Sequence, residues 1–178
     1  IQTALDAANS GDTIHAWAGI YYENLEITEE ITLKGNGTST VINGRYINNG
    51  IEVKEDNVII KNLTVVSGDE AGIAVYDSED VQILDVKFID NINGLYLEDA
   101  QDLIIRDAIF DVKDYGIYTT GSSSKLHVID SEFRNGSSSN ACIYQSSSEE
   151  NGGAQIISNT FDNCYTGWKS GSSNNIFS

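Results

Sequence analysis

Asn62, Asp85, Asp107 and Asp130 recur at steps of 23, 22 and 23 residues, and each closes an apolar phrase such as Ile104-Ile105-Arg106 or Val128-Ile129. If these phrases stack as strands about 4.8 Å apart, the three carboxylates lie about one strand spacing from one another. That is close enough for the paired acids of a glycosidase or for a shared Ca²⁺ ion. Like charges so close raise each other's proton affinity or require a counterion. Asp85, Asp107 and Asp130, with Arg106 between them, are therefore the candidate catalytic set. The competing reading places all four at bends, where Asn and Asp hydrogen-bond to local backbone.

A second recurrent set is aromatic. Tyr96, Tyr118 and Tyr144 follow Glu52 and Ala74 in one column, one per repeat. A row of phenols on a flat face suits a sugar or a neighbouring protein, although strand propensity alone also favours tyrosine. Ile59 and Ile104, in the outward column with Gln82, His127 and Gln155, extend that assembly or ligand face. Cys142 and Cys164 fall near each other in the repeat, which leaves an internal disulfide, a cross-link between chains and a pair of free thiols all open. Asn36, Asn62 and Asn135 head glycosylation sequons.

These columns exist only because the chain repeats. Gly50, Gly72, Gly94 and Gly116 stand at 22-residue steps, each followed by an apolar inward residue, an outward one and a second inward one, apolar in all but Thr119. A second phrase half a period later ends in Val65, Phe88, Phe110 and Phe133. A period of this length marks one unit of a solenoid. Within each unit the alternation is that of strands, with Ile51, Val53, Val58 and Ile60 inward and Glu52, Ile59 and Lys61 outward. Ile51, Ile73, Leu95, Ile117, Ile143 and Trp168 form one core column, and Val65, Phe88, Phe110, Phe133 and Phe161 another. The serine runs 137–139 and 146–148 read as loops. Residues 1–10 carry apolar side chains at 1, 4, 5 and 8, the spacing of a short capping helix, which Ser10-Gly11-Asp12 stops. Residues 11–178 then make about seven rungs of one domain. Asn174-Asn-Ile-Phe-Ser178 begins another strand phrase, and an end rung left uncovered offers unpaired backbone groups to another chain.

The charge of −17 argues against nucleic acid, whose phosphates need clustered cations. No apolar run reaches the roughly 18 residues of a membrane span.

The opening Ile1-Gln-Thr-Ala-Leu-Asp-Ala-Ala-Asn-Ser-Gly-Asp-Thr-Ile14, with Gly19-Ile-Tyr-Tyr-Glu-Asn24, resembles right-handed parallel β-helix proteins of the pectin-lyase-like class. The nearest likeness is to NosD-type repeat proteins and archaeal cell-surface β-helix proteins. The resemblance implies an all-β, single-stranded right-handed parallel β-helix over the whole chain. It does not fix an activity, because the scaffold carries enzymes and inert surface proteins alike. Polygalacturonase-like members share Asn-Thr-Asp, Asp-Asp, Gly-His-Gly and Arg-Ile-Lys motifs, none of which occurs here. Arg106, between Asp85 and Asp107, is the one local imitation of a pectate-lyase base beside an acidic calcium site. The copper implied by a NosD likeness lacks ligands, since His15 and His127 lie far apart in the repeat and methionine is absent.

From these features the expected function is a non-catalytic structural protein of the cell surface, extracellular, acidic, glycosylated and without a cofactor unless Ca²⁺ binds. It would assemble with copies of itself into a sheath, surface layer or filament. The alternative is a polysaccharide-active enzyme or carbohydrate-binding module, with cell-surface glycan as the partner.

Overall fold

A computed structural model describes residues 1–134, 140–145, 153–170 and 176–177. The strands form a parallel β-solenoid of about six turns, with a thirteen-stranded and a seven-stranded sheet. Each turn contributes two arms to the larger sheet, separated by a bend, and one strand to the smaller. In the middle turns the arms fuse into the strands Ile59–Val66 and Gln82–Ile89. In the next turn they separate into Ile104–Arg106 and Ile109–Asp111.

The bend is the column Asn62, Asp85, Asp107 and Asp130, with φ of 56°, 54°, 54° and 50°. This left-handed conformation costs most L-residues about 1–2 kcal/mol, while Asn and Asp tolerate it. The repeat of Asp therefore has a conformational cause.

Both core columns run in register. Ile51 pairs with Ile73, Ile73 with Leu95, Leu95 with Ile117, Ile117 with Ile143 and Ile143 with Trp168. The phenylalanine rings stack one per turn: Phe88 on Phe110 at 4.8 Å, Phe110 on Phe133 at 4.5 Å, Phe133 on Phe161 at 5.0 Å between centroids. The repeating glycines make room for them. A methyl group added at Gly94 would stand 2.4 Å from Cδ1 of Phe110, and one at Gly116 equally close to Phe133. In the next turn Cys142 takes the glycine position, and its disulfide to Cys164 spans 5.5 Å between Cα atoms.

The N-terminal helix is shorter than its apolar spacing suggests, extending only over Gln2–Leu5. Leu5 is buried while Ala4 faces solvent. Beyond Leu5 the Ala8 amide bonds back to the Leu5 carbonyl, a three-residue reach, and the Asn9 amide donates to Asp12 Oδ2, so the chain tightens into turns. Gly11 has φ +85° where the sequence places the stop. Both serine runs and Asn135 lie outside the described residues. Ile176–Phe177 is a strand, paired with Gln155–Ile156.

Candidate functional site

The outward face of the seven-stranded sheet concentrates the aromatic groups. Its strands place Glu26, Glu52, Ala74, Tyr96, Tyr118 and Tyr144 in one column, and Lys169 in the last rung. The Tyr96 and Tyr118 rings are 6.0 Å apart at 18°, and Tyr118 and Tyr144 are 5.3 Å apart at 10°. Each ring covers part of the next, and all three are half-buried. The Lys169 ammonium sits 5.5 Å above the Tyr144 ring.

Two further tyrosines join the ladder. Tyr76 lies 5.9 Å from Tyr96, and Tyr115 lies 5.0 Å from Tyr118 and 5.6 Å from Tyr144. Tyr76 was legible in the sequence as an outward residue two places after Ala74. Tyr115 was not, because it precedes Gly116 and has the wrong parity for the outward column; only the packing brings it there.

The phenol oxygens hold a hydrogen-bonded margin. Tyr96 donates to Glu98 Oε2 at 3.2 Å and accepts from the Thr120 hydroxyl at 3.4 Å. Asn49 Nδ2 donates to the Tyr76 oxygen and to Glu52 Oε1, each at 3.2 Å. Burial, then the charges of Glu70 and Glu52, push the Tyr76 phenol above its usual range. Burial and Asp114 do the same for Tyr115. For Tyr96 the Thr120 bond pulls downward and is outweighed by burial and Glu98. These phenols stay protonated and able to donate well into the alkaline range. Beside Glu52, the residues Asn24, Glu26, Asn48 and Asn49 line a small polar pocket at the ladder's N-terminal end.

The proposed acidic column is arranged differently. Asp85, Asp107 and Asp130 are exposed at successive bends. The Asp107 and Asp130 amides donate to Ile129 and Ile157 carbonyls of the next turn. Among the described residues no three His, Cys, Asp or Glu side chains converge as metal ligands. Arg106 points outward from the first arm of the larger sheet, also exposed. The geometry thus supports the bend reading. Ile59 and Ile104 lie on this first arm, half-buried, and not on the tyrosine face. Of the described sequon residues, Asn36 is exposed and Asn62 half-buried. No helix is long and apolar enough to cross a membrane.

Residues 19–161 match the family described as right-handed β-helix region, and the chain belongs to that family. A search of curated protein sequences gave no match. Among solved structures the chain is similar to an alginate lyase from Paenibacillus sp. str. FPU-7, with a TM-score of 0.81 and 18% identity over 98% of this chain and 72% of the lyase. It is similar to the ORF18 protein of Geobacillus virus E2, with a TM-score of 0.76 and 21% identity over 90% of this chain and 38% of that one. It also resembles a pectin methylesterase solved with a hexasaccharide, with a TM-score of 0.64 and 13% identity over 93% of this chain and 60% of the esterase.

At these identities the likenesses establish the fold. They also correct the expectation of a non-catalytic, self-assembling surface protein, since two of these three structures are an alginate lyase and a pectin methylesterase, both polysaccharide-active enzymes. Ile59 and Ile104, expected to extend the tyrosine face, lie on a different sheet from it.

Proposed function

We propose that this β-helix chain is a polysaccharide-recognising domain, with the tyrosine ladder of the seven-stranded sheet as its glycan face. The observation that carries the reading is the unbroken run Tyr76, Tyr96, Tyr118 and Tyr144, whose ring edges are bordered by Glu98, Thr120, Asn49 and Glu52. Tyrosine offers an apolar body to sugar C–H groups and a hydroxyl to sugar oxygens, and carboxylates and amides complete the acceptors and donors. The alginate lyase and the pectin methylesterase show the same scaffold in proteins that act on polysaccharides. The Cys142–Cys164 disulfide fits a site of action outside the cell, where such bonds persist.

The test is affinity electrophoresis and calorimetry against a panel of plant, algal and bacterial polysaccharides. Tyr118→Ala should weaken binding by about tenfold, the equivalent of roughly 1.4 kcal/mol, with Tyr118→Phe falling between. A panel with no ligand, or one in which no ligand is weakened by Tyr118→Ala, refutes the assignment. The catalytic form of the reading draws on the same two enzymes. It requires depolymerisation or de-esterification that Asp107→Asn abolishes.

A further inference from the structure

The first arm of the larger sheet turns a face to solvent whose charge is opposite to that of the rest of the molecule. Its outward residues form two columns fixed by register. One runs from His15 through Lys34, Lys61 and Arg106 to Ile157, the other from Thr13 through His127 to Gln155. Neither contains a carboxylate, although the chain has 27 Asp and Glu against 10 Lys and Arg. Both histidines and three of the ten cations fall on it.

Among the described residues those cations form no ion pair. The side-chain ion pairs of the described residues use Lys54, Lys113, Lys125 and Arg134, all on other faces, and none uses Lys34, Lys61 or Arg106. Lys34 and Lys61 are direct register partners, and Arg106 lies two turns beyond Lys61. At about 4.8 Å per turn, positive charge recurs along a line parallel to the solenoid axis. Between the charges are groups suited to a sugar. Ile59 and Ile104 are apolar and half-buried, while Gln82 and Gln155 carry amides. At the N-terminal end the Trp17 indole, 68% exposed, stacks on the His15 ring at 4.8 Å.

We infer that this face binds a carboxylated polysaccharide lying along the solenoid axis, at a site separate from the tyrosine ladder. The carboxylates meet Lys34, Lys61 and Arg106, and a terminal ring packs on Trp17. The flanks select the ligand. Asp85, Asp107 and Asp130 follow the face on one side, and Asp56, Glu79, Asp80 and Asp102 precede it on the other. A nucleic-acid duplex, with one charge per about 1.7 Å, would be repelled by those borders. A polyuronate carries one charge per sugar ring, and its neutral hydroxyls can lie against the Gln and Ile positions. Arg106 is exposed and Lys34 and Lys61 are half-buried at the surface, so salt weakens the complex, with a screening length of about 8 Å at physiological ionic strength.

The probes are polygalacturonate, neutral dextran and a short double-stranded oligonucleotide, in affinity electrophoresis at low and physiological salt. Polygalacturonate should retard the protein while dextran and the oligonucleotide do not. The triple variant Lys34→Gln, Lys61→Gln, Arg106→Gln should weaken retardation about tenfold or more, the scale of three surface ion pairs. Trp17→Ala should weaken it further. Lys87→Gln, which removes the same unit charge from the second arm, should leave it unchanged. Lys61→Arg keeps the charge and should keep the binding, which separates loss of ligand contact from loss of fold. The proposal is overturned if polygalacturonate does not bind. It is also overturned if the oligonucleotide binds as well, or if Lys87→Gln costs as much per charge as the three face substitutions.

Discussion

Gly94 and Phe110 fit together so closely that a single methyl group on the glycine would come 2.4 Å from the phenylalanine Cδ1 and 2.6 Å from the Gly116 carbonyl oxygen. The conflict involves the core ring and the backbone of the next turn at once. Gly94→Ala should therefore destabilise the protein by about 1–3 kcal/mol, as overpacked cores do, and lower the melting temperature. Adding Phe110→Leu to Gly94→Ala should cost less than the sum of the two single changes. Strict additivity in thermal melts would show that the ring and the glycine do not constrain each other.

The bend column predicts a different pattern. Asp107 has φ 54° and an exposed side chain, so Asp107→Asn should change stability by no more than about 0.5 kcal/mol. A β-branched residue has no such tolerance, and Asp107→Val should cost about 1–2 kcal/mol. Denaturant titration of the two variants separates conformation from charge. Equal destabilisation by both would mean that the carboxylate itself holds the bend.

The tyrosine ladder gives a prediction in alkali. Tyr76 and Tyr115 are pushed above the usual phenol range, each chiefly by burial. For an acid raised in the folded state, the unfolded chain ionises first. Stability from these groups is complete below the ordinary tyrosine value and is lost as pH rises through the raised one. Ultraviolet titration of phenolate should show these tyrosines ionising late, and Glu70→Gln should bring Tyr76 down. A titration in which every tyrosine ionises together at the ordinary value would contradict the packing.

The disulfide should act on the C-terminal turns. Cys142 and Cys164 are 22 residues apart, and closing a loop of that size stabilises by about 3 kcal/mol in the chain-entropy account. Reduction, or Cys164→Ser paired with Cys142→Ser, should lower the melting temperature. Hydrogen exchange should then quicken in the Ala141–Gln145 and Thr166–Ser170 strands before it does in Gln82–Ile89. Uniform acceleration along the whole solenoid would contradict a local role.

The sequence by itself determined the solenoid, the register of its columns and the inward or outward sense of nearly every strand residue. Those features follow from a 22-residue period and two-residue alternation, which are local and repeat with the chain. It also marked Asn62, Asp85, Asp107 and Asp130, without deciding whether they were a catalytic row or a line of bends. Backbone conformation showed that each sits at a bend, and a positive φ cannot be read from residue type alone. The helix boundary at Leu5, the arrival of Tyr115 beside Tyr118 and Tyr144, and the closure of Cys142 on Cys164 also depended on tertiary contacts. The charge separation lay in between: each cation was visible in the sequence, but the carboxylate-free face exists only once successive turns stack Lys34 on Lys61 and set the acids at the edges.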